Sequence, residues 1–76
     1  MKWQFHAETE KTCAYYTCEF GRVEHVGLQG WDALLYLPSE MRPGTVVECQ
    51  VGECYKSAAS GRAAVVRAYK KRMAVD

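Results

Sequence analysis

The sequence predicts an all-β protein, a small five-stranded Greek-key barrel, and three observations support this prediction. Several short segments alternate apolar and polar residues with the period of two that is typical of strands. Turn-forming glycines and prolines separate these segments. The chain has only 76 residues, which is enough for one hydrophobic core, and closing a barrel is one way to stabilise so small a core.

Two strands and one ambiguous segment are predicted in the first part of the chain. Residues 2–7 alternate an aromatic side with a polar side, which indicates a first strand. A polar connection leads to a second strand at residues 11–18, where Tyr15 and Tyr16 point to opposite faces. Residues 23–26 do not keep the strand period, so they form either an extension of this strand or a structured loop.

Three further strands are predicted in the second part. Residues 32–37 alternate clearly and end at Pro38, and residues 45–51 alternate equally well after a proline-glycine turn. We assign residues 62–69 to the last strand because of a valine pair and a preceding glycine.

The last segment has an alternative. Its alanines also allow a helix that starts near Ser57, but Gly61 and the Val65-Val66 pair favour the strand. The resulting five strands, a meander of three followed by a pair, fit a barrel of the oligonucleotide-binding type. Residues 1–70 then form one domain, and residues 71–76 form a short basic tail.

Three stretches resemble the motifs of a known family. Lys2-Trp3 and Phe5 stand where that family has an opening lysine, tryptophan and aromatic strand. Residues 11–16, KTCAYY, stand in place of Lys-Gly-Phe-Gly-Phe-Ile, and residues 32–37, DALLYL, in place of Asp-Val-Phe-Val-His-Phe. The chain therefore resembles a divergent cold-shock domain, with both motif glycines and two motif rings replaced.

The resemblance implies a protein that binds single-stranded RNA or DNA weakly and with little sequence preference. We expect unpaired bases to stack on Trp3, Tyr15 and Tyr36, while cations hold the phosphates. The formal net charge is only +1, so we expect stacking to matter more than bulk electrostatics. The candidate nucleic-acid-binding residues are Lys2, Trp3, Phe5, Lys11, Tyr15, Tyr36, Arg62 and Arg67.

A protein-interaction module is the main alternative. Tyr15, Leu34, Tyr36 and Trp31 provide apolar surface for a protein partner, and the loss of motif rings is what this alternative predicts. A small core and an unpaired edge strand fit either a monomer or a homodimer.

Other classes of function receive less support. The two cysteine pairs, Cys13/Cys18 and Cys49/Cys54, have an offset of five that sends the thiols of a strand to opposite faces, so we expect no metal site. Nothing in the sequence brings a histidine beside a cysteine, and we expect neither an enzyme nor a cofactor. The N-terminus lacks an apolar signal region and no segment is apolar enough for a membrane span, which predicts a cytoplasmic protein with reduced thiols.

Overall fold

The computed structural model describes residues 2–75 and contains one antiparallel sheet and one C-terminal helix. The strands are β1 (Gln4–His6), β2 (Tyr15–Cys18), β3 (Gly21–His25), β4 (Trp31–Pro38) and β5 (Val46–Tyr55), and the helix is α1 (Ala58–Val75). Each strand pairs with its neighbours in sequence, in the order β1-β2-β3-β4-β5. β1 and β5 are the two edges of this sheet, so the protein is mostly β with five antiparallel strands, and a closed barrel is not confirmed.

Strand alternation predicted β1, β2, β4 and β5 in approximately the right places. β1 and β2 are shorter than predicted, and β5 extends through Tyr55. The ambiguous segment after the bend belongs to a separate strand, β3. Its irregular period has a simple cause, because Gly21 and His25 occupy positions on the same face as buried Val23.

The prediction of a strand at residues 62–69 was wrong, because α1 occupies this segment. Ser57 caps the helix, with its Oγ accepting a hydrogen bond from the backbone N–H of Ser60 at 3.2 Å. Alanine, arginine and lysine dominate the turns that follow, and all three are strong helix formers. Residues 71–75, predicted as part of a tail, continue the same helix, and Asp76 lies outside the described residues.

The helix packs unusually close to β3 through two glycines. A Cβ atom on Gly21 would lie 2.5 Å from Val65 Cγ1, and one on Gly61 would lie 2.7 Å from Val23 Cγ1. Since real Cβ atoms do not approach other atoms so closely, each glycine provides the space for a buried valine. Helix and sheet thereby share one small core, whose buried hydrophobic residues are Val23, Ala33, Leu35, Ala64 and Val65.

Packing of α1 gives the sheet two different faces. The helix contacts β3, β4 and β5, where Val23 and Leu35 point towards it. We call this face the helix side. Side chains at the alternate positions, such as Arg22, Leu34 and Tyr36, point the other way, and we call that uncovered face the open face.

Candidate nucleic-acid interface

Two of the three rings expected to stack bases, Tyr15 and Tyr36, lie on the open face. Tyr15 is half-buried and stacks on His6, with ring centroids 4.4 Å apart and planes at 9°. His6 is held in place by a hydrogen bond between its Nε2 and the Thr17 hydroxyl at 3.0 Å. One side of the Tyr15 ring is therefore already occupied by a side chain of the protein itself.

The charges of the open face are mainly acidic. Arg22 Nη2 lies 3.0 Å from Glu48 and 3.6 Å from Glu24, so one cation is shared between two carboxylates. Burial, followed by the nearby Glu48 carboxylate, raises the pKa of Tyr36 from its usual value of 10.0. A phosphate backbone that approached Tyr36 would meet the same negative field.

A second group of rings lies on the helix side of the sheet, on β1, β2 and β4. Phe5 and Tyr16 are cross-strand partners with ring centroids 4.9 Å apart, and Tyr16 lies 6.0 Å from Trp31. Arg62 of α1 lies over the Tyr16 ring, with its Cζ 4.5 Å from the centroid. We call Phe5, Tyr16, Trp31 and Arg62 the aromatic strip.

The aromatic strip combines an exposed ring with a cation that is already positioned. Phe5 is 55% exposed although it is a large apolar residue, and it lies on the edge strand β1. Guanidinium groups stack well on aromatic faces, and the contact with Tyr16 holds Arg62 beside the rings. An exposed ring next to a fixed guanidinium is the arrangement that single-strand-binding surfaces use.

The third expected stacking residue, Trp3, does not join the other two. It packs against the core, as Phe20 and Tyr69 also do, and it is half-buried. Phe5, two residues further along, points to the helix side because it is the register partner of Tyr16. The structure therefore places Phe5 beside Tyr16, the ring that Arg62 contacts, and Tyr15 on one face with Tyr36. It does not assemble a single platform from Trp3, Tyr15 and Tyr36.

The four predicted cations also separate into different places. Lys2 is exposed beside Trp3, and Lys11 is exposed in the loop next to Tyr15. Arg62 belongs to the aromatic strip, whereas Arg67 is exposed on the outside of α1. Of these four cations, only Arg62 and Arg67 lie on the same element, α1.

The C-terminal segment carries most of the positive charge. Residues 56–75 contain six of the ten Lys and Arg residues and no Asp or Glu, while residues 2–55 contain four Lys or Arg and eight Asp or Glu. Arg67, Lys70 and Lys71 are all exposed and have the spacing that places them together on one helix face. With Arg72, which is also exposed, they form what we call the basic helix surface.

Sequence reasoning missed several members of these two surfaces. Tyr16 was passed over for Tyr15, and only the register with Phe5 shows which ring lies beside a cation. The predicted boundary at residue 70 separated Lys70, at the end of the domain, from Lys71, in the tail. Residues 56–75 contain no Asp or Glu, and this pattern, which is visible in the sequence itself, could have identified them.

Comparison with protein families, curated proteins and solved structures finds no match to this chain. Within residues 2–75, no helix is both long enough and apolar enough to cross a membrane. The described part of the chain also contains no group of three or more His, Cys, Asp or Glu side chains that could hold a metal ion.

Proposed function

We propose that the protein binds single-stranded RNA or DNA, with phosphates on the basic helix surface and unpaired bases on the aromatic strip. The observation that carries this proposal is the separation of charge between the helix and the sheet. A segment with six cations and no carboxylate attracts a polyanion even though the whole chain is nearly neutral. The proposal keeps the nucleic-acid function expected from the resemblance to a cold-shock domain, but it places the site on the helix side and does not require a closed oligonucleotide-binding barrel.

In the free protein, the like charges of the basic helix surface repel one another, and a bound polyanion would remove this repulsion. Like charges three or four residues apart destabilise a helix by about 0.2–0.5 kcal/mol per pair. Arg67 lies at these spacings from Lys70 and Lys71, and no acidic side chain of α1 offsets the repulsion. Binding of phosphates would relieve it.

The two surfaces lie close enough to bind one strand. Arg62 and Lys70 are eight residues apart, which corresponds to about 12 Å along a helix. Arg62 contacts Tyr16 at one end, and Tyr69, beside Lys70, stacks on Phe20 at 3.9 Å at the other. The helix therefore runs along the sheet from the aromatic strip to the basic helix surface.

The proposed mechanism uses no cofactor and no chemical step. A base that stacks on Phe5 contributes about 1–3 kcal/mol, and the adjacent cations hold the backbone. Such binding stabilises unpaired RNA by mass action, and we propose that it occurs in the cytoplasm, where the four free cysteines stay reduced.

Tryptophan fluorescence tests the proposal, because Trp31 belongs to the aromatic strip. We expect single-stranded oligonucleotides to change the emission and duplex DNA of equal length to have a smaller effect. For about three phosphate contacts on a single strand, log K should fall with log salt with a slope of about −2. The double variant K70Q/K71Q should bind more weakly and show a shallower slope, whereas Arg42→Gln, in the exposed β4–β5 loop, should match the wild type.

A pair of leucine variants locates the bases. Phe5→Leu should weaken binding by roughly 5- to 150-fold, which is the loss of one stacked base. Tyr15→Leu on the open face should leave the affinity unchanged. The reverse pattern would place the bases on the open face, and no binding of any oligonucleotide at tens of micromolar would refute the proposal.

The uncovered open face favours a second candidate, a protein-interaction module. Leu34 lies on this face two residues from half-buried Tyr36, between Arg22 of β3 and Gln50 of β5. The carboxylates of Glu24 and Glu48 lie on the same face. A partner for this face would present basic side chains. Binding of such a partner that is lost in Leu34→Glu and retained in Phe5→Leu would support this second function.

A further inference from the structure

Among residues 2–75, β5 has an unpaired edge that is long and weakly protected. The opposite edge strand, β1, has only three residues, whereas β5 has ten. Natural edge strands are blunted by shortness, proline, lysine or bulges, because their free N–H and C=O groups otherwise pair with another chain. No lysine or proline interrupts β5.

Irregular pairing protects only the second half of β5. The β4–β5 register shifts twice, between Trp31 and Ala33 and between Ala33 and Leu34, and Cys54 has a positive φ of 62°. Before these shifts, residues 46–50 are regular and all exposed. Val46 is 64% exposed and Val47 is 47% exposed, although valine prefers strands in which it is covered.

We propose that the β5 edge pairs with β5 of a second copy of this chain, antiparallel, with Cys49 opposite Cys49. The two-fold axis then passes beside Cys49, perpendicular to the sheet, and both helices lie on the same side of a ten-stranded sheet. This dimer does not depend on nucleic-acid binding.

The side chains support this register over the neighbouring one. With Cys49 at the centre, each Glu48 faces Gln50 of the other copy on the open face. Each Val47 faces Val51, which lies at the first register shift, just beyond the regular residues 46–50, and packs against the core on the helix side. A register centred on Glu48 would place two carboxylates directly opposite each other, which is unfavourable. The charge of Glu48 is in addition balanced within its own chain by Arg22 at 3.0 Å.

Sedimentation and cross-linking test the dimer. In reducing buffer we expect a reversible monomer–dimer equilibrium in the micromolar range, since a single strand pair is a small interface. Gln50→Glu creates two Glu–Glu pairs across the axis and should weaken the dimer roughly tenfold. The matched variant Gln50→Lys creates two Glu–Lys pairs and should tighten it, and circular dichroism checks that both variants remain folded.

Cross-linking reports the register directly. Opposed strand residues have Cα atoms about 4.5–5.5 Å apart, which a disulfide can span. Diamide takes two hydrogen atoms from the two thiols, forming the S–S bond and its own hydrazine. The covalent dimer should form in wild type and in Cys13→Ser, and should be lost in Cys49→Ser. Three results would overturn the proposal. The protein could stay monomeric at hundreds of micromolar, or the dimer affinity could be the same whatever the charge at position 50. Covalent dimers could also still form in Cys49→Ser.

Discussion

Replacing Gly61 by alanine tests how closely α1 packs on the sheet. Ordinary contacts between carbon atoms are about 3.5–4.0 Å long. The new Cβ would lie 2.7 Å from Val23 Cγ1, so helix and sheet would have to separate by roughly 1 Å. Val23 cannot easily move, because it is fully buried against the other core residues and its branched side chain has few rotamers.

Two opposing effects set the magnitude. Alanine is a better helix former than glycine by about 0.8–1.0 kcal/mol, which alone would stabilise the variant. Overpacking a well-filled core costs about 1–3 kcal/mol. We expect the second effect to dominate and the free energy of unfolding to fall by about 1 kcal/mol, which corresponds to a decrease in Tm of about 4–8 °C.

Urea denaturation of Gly61→Ala and of the matched control Ala63→Gly measures the balance. Ala63 is exposed on the same helix, so the control should lose about 1 kcal/mol through helix propensity alone. Both variants should therefore be less stable than the wild type. Gly61→Ala could instead gain as much free energy of unfolding as Ala63→Gly loses. Helix propensity alone would then explain both variants, and the close contact with Val23 would be absent.

Two further predictions concern the helix cap and the open face. Ser57→Ala should lower the free energy of unfolding by about 1 kcal/mol in urea denaturation, because the N–H of Ser60 loses its acceptor, and Ser57→Asn should retain most of the stability. The raised pKa of Tyr36 means that the folded state holds its proton above pH 10.0, so its contribution to stability is complete below that pH and is lost as the pH rises through the folded-state pKa. Glu48→Gln should lower the pKa of Tyr36, measured by ultraviolet absorbance, only part of the way towards 10.0, since burial is the larger cause of the shift. A full return to the usual value would contradict this order of causes.

The sequence predicted strands well where one face of the strand meets the core. Residues 32–37 and 45–51 alternate because β4 and the first part of β5 are regular and present alternate side chains to the two faces. β3 escaped prediction because the close approach of the helix requires glycine at position 21, which removes an apolar residue from the expected pattern. The same packing explains Gly61, which locally indicates a helix break and is in fact a contact point inside the helix.

The assignment of rings to a common site failed for a different reason. Alternation shows that Tyr15 and Tyr16 face opposite ways, but it does not show which of them faces Phe5 on the neighbouring strand. A shift of one residue in the register exchanges all the faces. Here the register pairs Phe5 with Tyr16, so Phe5 joins the side that carries Arg62 while Tyr15 joins an acidic face.

The net charge concealed the strongest feature of the chain. A total of +1 indicated that electrostatics would contribute little to nucleic-acid binding, yet that total combines an acidic sheet with a basic helix. Once residues 58–75 are recognised as one helix packed on one side of the sheet, the five cations of this segment lie on one element instead of being divided between a strand and a tail. Salt at moderate concentration screens charges that are more than about 10 Å apart. A polyanion near the helix is therefore attracted by the local positive charge of the helix more than by the net charge of the whole molecule. The element that sequence analysis assigned wrongly is therefore also the one that determines where the proposed ligand binds.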